Sequence, residues 1–436
     1  MRIAVIGTGY VGLVSGICFS DFGHEVVCVD RDAGKIEKLR AGDVPIYEPG
    51  LDALMEKNVA GGRLSFTTDL GSAVAAADAV FIAVGTPTRR GDGHADLTFV
   101  NAAAKEIAEH LSGYTVVVTK STVPVGTNRA VAQIIRKANP QAEFDIASNP
   151  EFLREGAAIE DFMRPDRVVV GAETEQAREV MAAIYSPLSL RDAPVIYTDL
   201  ESAEMIKYAA NAFLATKITF INEIAGLCER TGANAKSVAR GMGLDSRIGP
   251  KFLNAGPGYG GSCFPKDTRA LARIGQEHAH PMRIVETVID VNEAVKRRMI
   301  DKVLDLVDYE ATGKRIAVLG VTFKPDTDDM REAPSLAVVP ALIGAGAEVH
   351  VVDPEGRSEG ERLLPGVTWH EDAYSAAKGA DAVVILTEWN QFRALDLRKL
   401  KEIMRTPKLA DLRNIYGPDQ AAAAEFDYVG IGFGNS

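Results

Sequence analysis

Cysteine is scarce in this chain of 436 residues, which has Cys18, Cys28, Cys228 and Cys263 and no Cys-x-x-Cys pair among them. A disulfide framework is typical of short, cysteine-dense chains, and a zinc site usually draws on closely spaced cysteines. The scarcity argues against both kinds of site, so no metal is expected. It also favours a reducing, cytoplasmic location.

Long apolar runs and an excess of basic residues are missing too. No apolar segment approaches the ~20 residues of a membrane helix, and the N-terminal run Met1–Gly7 is too short for a signal peptide. Lys and Arg number 48 against 60 Asp and Glu, and the net charge of −12 argues against general nucleic-acid binding. We therefore expect a soluble protein that has neither a membrane nor a nucleic acid as partner.

The first 30 residues carry a dinucleotide-binding fingerprint. An apolar strand from Arg2 runs into a Gly-x-Gly-x-x-Gly turn made by Gly7, Gly9 and Gly12, a helical stretch follows, and a second strand ends at Asp30. Such glycines let a pyrophosphate approach the backbone, and the helix N-terminus faces its phosphates. Asp30 should accept hydrogen bonds from the ribose and repel a 2′-phosphate, which predicts NAD rather than NADP.

Polar residues follow three further apolar segments at the spacing of an α/β fold. The segments 79–84, 115–118 and 144–147 predict strands of a mostly parallel, doubly wound sheet. Ligands bind beyond the carboxyl ends of such strands. Any one of the polar residues there has a second interpretation as a turn residue or helix cap, but their shared edge favours a site. They are Thr86, Thr122, Glu151 and Glu155.

The middle of the chain predicts long helices. Residues 201–225 contain neither proline nor glycine, and their two apolar stripes predict a helix buried on more than one side. One stripe is Ile206, Ala210, Phe213, Phe220, Ile224 and Leu227, and the other is Leu214, Ile218, Ile221, Ala225 and Cys228. Lys207 and Asn211 are four residues apart, so both can point to one site. A second amphipathic helix is predicted from about Met282 to Val307.

The last third repeats the pattern of the first. Arg315–Gly320 matches the first strand and turn, and a later strand ends at Asp353 as the second strand ends at Asp30. The repeat lacks the three glycines, so a second NAD is not expected, while Lys324 in its loop suggests an anionic ligand. The predicted fold is therefore α/β, with two Rossmann-like doubly wound domains, 1–199 and 310–436, joined by a central domain of long helices, 200–309.

Between the two long helices lies a glycine-rich stretch, Gly256–Asp267, that contains a thiol, an ammonium and a carboxylate. Cys263, Lys266 and Asp267 fall within five residues. A thiol becomes a strong nucleophile when cations or amide dipoles stabilise its thiolate, and Lys266 is a nearby candidate. The alternative interpretation is a glycine-rich surface turn that holds a buried, inert cysteine.

These motifs, taken in order, resemble the UDP-glucose/GDP-mannose dehydrogenase family of nucleotide-sugar 6-dehydrogenases over essentially the whole chain. The likeness rests on the glycine fingerprint, Asn149–Glu155, Lys207 with Asn211, Tyr259–Asp267 and Gly320–Lys324. It implies an NAD domain, a helical connector and a UDP-binding domain. The residues around the cysteine are similar to those of members that oxidise UDP-glucose. GDP-mannose or a UDP-N-acetylhexosamine is the alternative substrate.

The resemblance implies two successive NAD-dependent oxidations of the C6 alcohol of the glucose unit to a carboxylate. Cys263 would add to the intermediate aldehyde, so that a second hydride can leave and a thioester form. Lys207 and Asn211 would stabilise oxyanions. The first-step base stays open between Lys207 and a water that Asp267 holds with Thr122.

The same resemblance implies further site residues. Glu151 would serve in thioester hydrolysis, and Arg247 would reach the nucleotide of a neighbouring subunit, which implies a homodimer or larger homo-oligomer. The residues matching cofactor-contacting positions are Gly7, Gly9, Val11, Gly12, Asp30, Lys35, Thr86, Thr122, Glu155, Lys266 and Arg331. Those matching substrate-contacting positions are Glu151, Phe152, Leu153, Arg154, Glu155, Lys207, Asn211, Arg247, Phe252, Leu253, Asn254, Ala255, Gly256, Gly260 and Lys324.

Two other functions are weighed against this one. A two-electron dehydrogenase of a hydroxy acid would need neither a cysteine nor a third α/β domain. An NAD-sensing protein without catalysis would have no reason to cluster Cys263, Lys266 and Asp267.

Overall fold

The computed structural model describes residues 1–89, 93–189 and 193–434. The chain divides into two compact units, Met1–Ala210 and Asn211–Ser436. The division falls inside one long helix, α9 (Leu200–Thr231).

The first unit is built on a mostly parallel sheet. Its strands, in the part of the chain described, are β1 (Arg2–Ile6), β2 (Glu25–Val29), β3 (Leu64–Thr67), β4 (Ala79–Ile82), β5 (Thr115–Thr119), β6 (Phe144–Ser148), β7 (Val168–Ala172) and β8 (Val195–Thr198). Their order in the sheet is β3-β2-β1-β4-β5-β6-β7-β8, and only β6 and β7 pair antiparallel among the described pairs. The helices that precede α9 are α1 (Tyr10–Asp21), α2 (Ala33–Ala41), α3 (Leu51–Ala60), α4 (Leu70–Ala75), α5 (Thr98–His110), α6 (Thr127–Ala138), α7 (Ala158–Met163) and α8 (Glu175–Ser189).

The second unit contains a wholly parallel sheet with the order β11-β10-β9-β12-β13-β14. Its strands are β9 (Arg315–Leu319), β10 (Glu348–Val352), β11 (Thr368–Trp369), β12 (Ala382–Ile385), β13 (Lys408–Asp411) and β14 (Asp427–Val429). Its helices after α9 are α10 (Ala235–Gly243), α11 (Phe264–Glu277), α12 (Arg283–Leu306), α13 (Ser335–Gly344), α14 (Arg357–Leu363), α15 (Ala373–Ala377), α16 (Asn390–Arg393), α17 (Leu397–Ile403) and α18 (Pro418–Ala423). The predicted second Rossmann-like sheet is confirmed.

The two sheets owe their likeness to the alternation of side chains along their first strands. In β1, Ile3 and Val5 enter one core and Ala4 and Ile6 the other. In β9, odd and even positions divide in the same way between two cores. Successive side chains of a strand point to opposite faces, so a strand covered on both faces must be apolar throughout.

Helix α9 differs from the sequence-based expectation on one side. Its second stripe is buried at Ile221 and Ala225. The first stripe is not: Phe213, Phe220 and Leu227 are 66%, 46% and 58% exposed. The prediction of burial on both sides is therefore wrong within this chain, because periodicity indicates an apolar face without showing what covers it. None of the described helices, α9 included, has the length and apolar content needed to cross a bilayer.

Candidate active site

The glycine turn after β1 has the shape that a pyrophosphate requires. Gly7 has a left-handed φ of 104°, and a Cβ on Gly12 would lie 2.0 Å from the carbonyl oxygen of Gly7. Gly9 precedes α1 without any side-chain cap, and nothing lies within 4 Å of the place where its Cβ would be. The first amides of α1 are thus left to an anion, and the turn fits a dinucleotide.

Asp30, directly after β2, is held by the same turn. Its carboxylate accepts hydrogen bonds from the amide and hydroxyl of Thr8 at 2.9 and 2.7 Å and from the amide of Asp32 at 3.0 Å. Burial alone would raise the pKa of Asp30, but these bonds and the charge of Lys35 outweigh it and lower the pKa. A carboxylate has about four acceptor positions. Three are filled, so about one is left for a ribose hydroxyl.

The residues after β4, β5 and β6 lie along one edge of the sheet. The hydroxyl of Thr86 donates to the carbonyl of Thr122 at 2.9 Å, which links the loops after β4 and β5. The loop that contains Glu155 is fixed by Glu48, whose carboxylate accepts from the amides of Gly156 and Ala158 at 2.6 and 2.7 Å. Glu48 also accepts from the hydroxyl of Tyr10 in the first turn of α1. Sequence reasoning missed Glu48.

Glu151 and Lys207 form a buried ion pair in the first unit. The Lys207 Nζ lies 3.2 Å from Glu151 Oε1, and the two side chains are 3% and 5% exposed. Glu151 Oε2 accepts from the amide of Leu153 at 2.5 Å. Two cations lie near the ring of Phe152, with Arg167 Cζ 3.6 Å and Lys207 Nζ 5.3 Å from its centroid. A desolvated lysine and carboxylate suit proton transfer and oxyanion binding.

A second buried lysine, Lys120, lies beside this pair, and sequence reasoning did not assign it a role. Its Nζ donates to Asn149 Oδ1 at 3.0 Å and to the hydroxyl of Tyr185 at 3.2 Å. Burial lowers the pKa of Lys120 to about 7, the charge of Glu151 opposes that shift, and the charge of Lys207 adds to it. The feature that could have indicated a role for Lys120 is its position directly after a strand of five buried residues, Thr115–Thr119.

The other predicted residues of this unit are more exposed. Val11 is half-buried in the first turn of α1, and Lys35 is exposed on α2. Arg154 is exposed and pairs with Asp161 at 2.6 Å.

In the second unit Cys263 is the N-cap residue of α11. The other three cysteines are buried, whereas Cys263 is partly exposed, and burial raises the pKa of Cys28 to about 12. The Sγ of Cys263 lies 3.4 Å from the hydroxyl of Ser262. The positive end of a helix dipole stabilises a thiolate. Of the four, Cys263 has the environment of a nucleophile.

Asp267, one turn into α11, joins two other predicted residues. It is fully buried, and it accepts from Asn211 Nδ2 at 2.6 Å and from Lys266 Nζ at 2.5 Å. The ammonium of Lys266, expected beside the thiolate, is thus paired with this carboxylate. The amide of Asn211 is held in one orientation by the bond, as an oxyanion donor should be.

The glycines before Cys263 let the loop lie close to the segment after β9. A Cβ on Gly260 would lie 2.5 Å from the carbonyl oxygen of Glu332, and the amide of Gly261, with φ 83°, donates to Arg331 at 2.8 Å. Asn292 of α12 exchanges two hydrogen bonds with the backbone of Tyr259, at 2.8 and 3.1 Å. Residues 256–261 are buried, so the alternative of a surface turn is wrong.

The segment before this loop contains a strained residue. Phe252 has φ 66°, a conformation that costs a non-glycine residue of order 1–3 kcal/mol and is often found at ligand sites. Gly256 donates its amide to the buried Asn222 at 2.8 Å. Leu253 is buried, Ala255 half-buried and Asn254 exposed.

The remaining predicted residues lie on the surface of the second unit or near it. Arg247 is 88% exposed and pairs with Asp245 at 2.6 Å. Arg331 pairs with Asp329 at 2.8 Å. Lys324, in the loop after β9, is half-buried, with its Nζ 5.4 Å from the centroid of the Phe323 ring.

Family models match the chain in three consecutive segments. The models describe the NAD binding domain, the central domain and the UDP binding domain of the UDP-glucose/GDP-mannose dehydrogenase family, over residues 1–189, 201–294 and 317–418. The chain belongs to the UDP-glucose/GDP-mannose dehydrogenase family. The predicted family, the NAD cofactor and the class of NAD-dependent oxidoreductase are thereby confirmed.

Individual members of the UDP-glucose/GDP-mannose dehydrogenase family resemble the chain over its whole length. It is 61% identical over 434 residues to UDP-glucose 6-dehydrogenase of Rhizobium meliloti (strain 1021), covering 99% of both chains. It is 51% identical to UDP-glucose 6-dehydrogenase TuaD of Bacillus subtilis (strain 168), covering 99% of this chain and 93% of that one. The solved UDP-glucose dehydrogenase of the archaeon Pyrobaculum islandicum superposes with a TM-score of 0.92 at 40% identity, over 99% and 98% of the two chains.

Proposed function

We propose that this protein oxidises the C6 alcohol of UDP-glucose to the carboxylate of UDP-glucuronate through a covalent intermediate on Cys263. The observation that carries the proposal is the partly exposed Cys263 at the N-terminus of α11, one turn from a buried carboxylate that fixes Asn211. For each substrate, one water is consumed, two NAD are reduced and three protons are released. A cytoplasmic location fits a mechanism that needs a free thiol.

In the first oxidation a proton leaves the C6 hydroxyl and a hydride leaves C6. Bound NAD accepts a hydride in each of the two oxidations. Lys207 is the base or the oxyanion donor of this step, because its amine is desolvated and tied to a carboxylate that can share the proton. A water held by Asp267 with Thr122 is the other candidate base.

In the second oxidation the thiolate of Cys263 adds to the C6 aldehyde and forms a thiohemiacetal. Lys207 and Asn211 stabilise the oxyanion, whose charge develops as the carbon–sulfur bond forms. Loss of hydride gives a thioester on Cys263. Glu151 then directs a water to the acyl carbon, the carbon–sulfur bond breaks, and the thiol is restored.

The proposal is tested by side-by-side assays of UDP-glucose, GDP-mannose and UDP-N-acetylmannosamine, with NADH absorbance and substrate loss measured together. We expect two NADH per UDP-glucose consumed and little turnover of the other two sugars. A ratio of one NADH per substrate, or faster oxidation of either competitor, would contradict it.

Asp30 is expected to set the preference for NAD. Asp30→Ala removes an acceptor for the ribose and should raise the KM for NAD at least about tenfold while kcat changes less, since a hydrogen bond to a charged group contributes about 1.5–3 kcal/mol. Steady-state kinetics with NAD and NADP measure both effects. Glu37→Ala, which removes an exposed charge from α2, is the matched control. Equal efficiency of the parent enzyme with NADP would refute the assignment.

Lys324 is proposed to bind the diphosphate of the UDP-sugar. It lies in the loop after β9, the first strand of the Rossmann-like sheet of the second unit. The corresponding loop of the first unit, after β1, is the glycine turn. Lys324→Ala should weaken UDP-glucose binding by about tenfold or more in calorimetry and leave NAD affinity unchanged, because one charge-assisted contact is lost. Lys378→Ala, an exposed lysine of the same unit, should bind like the parent. Unchanged affinity in Lys324→Ala would exclude the role.

We further propose that the protein is at least a homodimer through the exposed stripe of α9. Phe213, Phe220 and Leu227 recur every seven residues and so share one helix face. Phe220 and the 71%-exposed Ile284 of α12 line a groove of about 280 Å³. Contiguous exposed apolar surface of this kind marks association sites. A neighbouring subunit is also what the exposed Arg247 would need in order to reach a second nucleotide.

Light scattering of the parent should give at least twice the mass of one chain. Phe220→Asp should shift it toward the monomer, since a charge would have to be desolvated in the interface. Val59→Asp, at a 44%-exposed apolar residue of α3, should not. A monomeric parent would rule the dimer out.

A further inference from the structure

Glu204, in the part of α9 that belongs to the first unit, is a buried carboxylate to which the mechanism above gives no role. It is 2% exposed, and its oxygens accept three hydrogen bonds from the start of α6. Oε2 accepts from the amide of Gly126 at 2.6 Å, and Oε1 accepts from the amide and the side-chain Nδ2 of Asn128 at 2.8 and 2.7 Å. A buried carboxylate is costly unless its oxygens are satisfied, so α9 and the start of α6 are held together at this point.

Glu204 supplies the cap that α6 lacks in its own sequence. Gly126, at the N-cap position, has a left-handed φ of 89° and no side chain that could accept a bond from the first amides of the helix. Those amides have no partner inside a helix, and the helix dipole favours a negative charge beside them. Hydrogen bonds to a carboxylate are roughly twice as strong as neutral ones. Glu204 therefore fixes the N-terminus of α6 from 78 and 76 positions further along the chain.

This contact joins two segments that carry proposed site residues. Thr122 lies in the loop between β5 and α6, shortly before Gly126. The hydroxyl of Ser121 ties the start of that loop to the segment after β4, and Glu204 holds its end. Lys207 lies three residues after Glu204 on α9, so the two side chains share one helix face. The bonds of Glu204 therefore link the loop that contains Thr122 to the helix turn that presents Lys207.

We propose that Glu204 is a positioning residue of the oxidation, which fixes the loop of Thr122 against the helix turn of Lys207. This inference rests on the proposed roles of Lys207 in the first oxidation and of Thr122 in holding a water or the cofactor. A displacement of about 1 Å at reacting groups can lower a rate about a hundredfold, so a rigid link between the two segments bears directly on turnover. Glu204 acts through these segments, because its carboxylate is occupied by the start of α6.

The experiment is a single-turnover measurement of NADH formation by Glu204→Gln, with saturating NAD and with enzyme in excess over UDP-glucose. The new side chain has the same size, but its amide group turns a donor toward an N–H that needs an acceptor, so at least one of the three bonds is lost. The rate constant of NADH formation should fall about tenfold or more. The steady-state KM for UDP-glucose should stay within about twofold, since no group that binds the substrate is removed.

Glu201→Gln is the matched control. Glu201 lies one turn earlier on α9 and also links this helix to α6, with its Oε1 2.7 Å from Nε of Arg129. That ion pair is exposed, and exposed pairs contribute little. Glu201→Gln should therefore keep the parent rate constant.

A parent rate constant in a folded Glu204→Gln protein would overturn the inference. A purely structural role lowers the number of folded molecules, which an excess of enzyme makes up for, and so leaves the rate constant unchanged. Thermal unfolding shows whether the variant is folded. If it is not, Asn128→Ala, which removes one of the three bonds and keeps the carboxylate, gives the same readout.

Lys207→Met is measured in parallel, so that the inference and the proposed function can fail separately. A parent rate constant in Lys207→Met would refute the proposed role of Lys207 and with it the basis of the inference. A slow Lys207→Met beside a Glu204→Gln with the parent rate constant would refute only the role of Glu204.

Discussion

Replacing Cys263 with alanine is expected to stop formation of UDP-glucuronate. The first oxidation needs a base and a bound nicotinamide, neither of which the thiol supplies. The second needs a nucleophile on the aldehyde, because an aldehyde has no hydride to give until one adds. Loss of a covalent nucleophile lowers turnover by at least about a thousandfold, or more than ~4 kcal/mol of barrier. Cys263→Ala should therefore make no acid and retain at most slow aldehyde chemistry.

Cys263→Ser provides the sharper test of the covalent step. A serine can add to the aldehyde, but its ester transfers an acyl group less readily than a thioester. The variant should stall as an adduct heavier than the protein by one UDP-sugar acyl group in intact mass spectrometry. Cys228→Ser, at a buried cysteine, should form none. UDP-glucuronate production by Cys263→Ala at close to the parent rate would show that the thioester mechanism is wrong.

Much of the fold follows from local sequence patterns. The strands that begin at Arg2 and Arg315 follow from the alternation of their apolar side chains. The glycine turn follows from the backbone freedom of glycine. The exposure of Phe213 on α9 was not predictable in this way. The spacing of the apolar residues on α9 shows that this helix face is apolar. The local sequence does not identify the surface that covers it.

The candidate site was predictable where the functional residue lies in the same short motif that determines its place in the fold, as at Asp30 and Cys263. It was not predictable where a residue acts through partners distant in sequence. The amide of Asn292 supports the loop before Cys263 across 33 positions. The contact of Lys120 with Tyr185 spans 65. In a single sequence nothing identifies the partner of either residue, and only the folded chain shows which group it satisfies.

Lys207→Met should have the second largest effect, on both activity and stability. The substitution removes a base or oxyanion donor, which lowers kcat by about 10²–10³-fold. It also leaves Glu151 buried without its ion-pair partner, and breaking a buried pair from one side costs about 3–5 kcal/mol. A low activity alone would therefore not distinguish a catalytic lysine from a structural one.

The double variant Lys207→Met with Glu151→Gln separates the two effects. It removes both charges of the buried pair, so chemical denaturation should show most of the lost stability restored. Activity should stay absent, since neither group can then move a proton.

Glu151→Gln alone should still release two NADH per active site in a stopped-flow burst before the thioester stalls, because hydrolysis comes last. Lys207→Met and the double variant should show no burst. A burst in the double variant as large as that of Glu151→Gln would mean that Lys207 serves only to neutralise Glu151, and the base would then be the water held by Asp267.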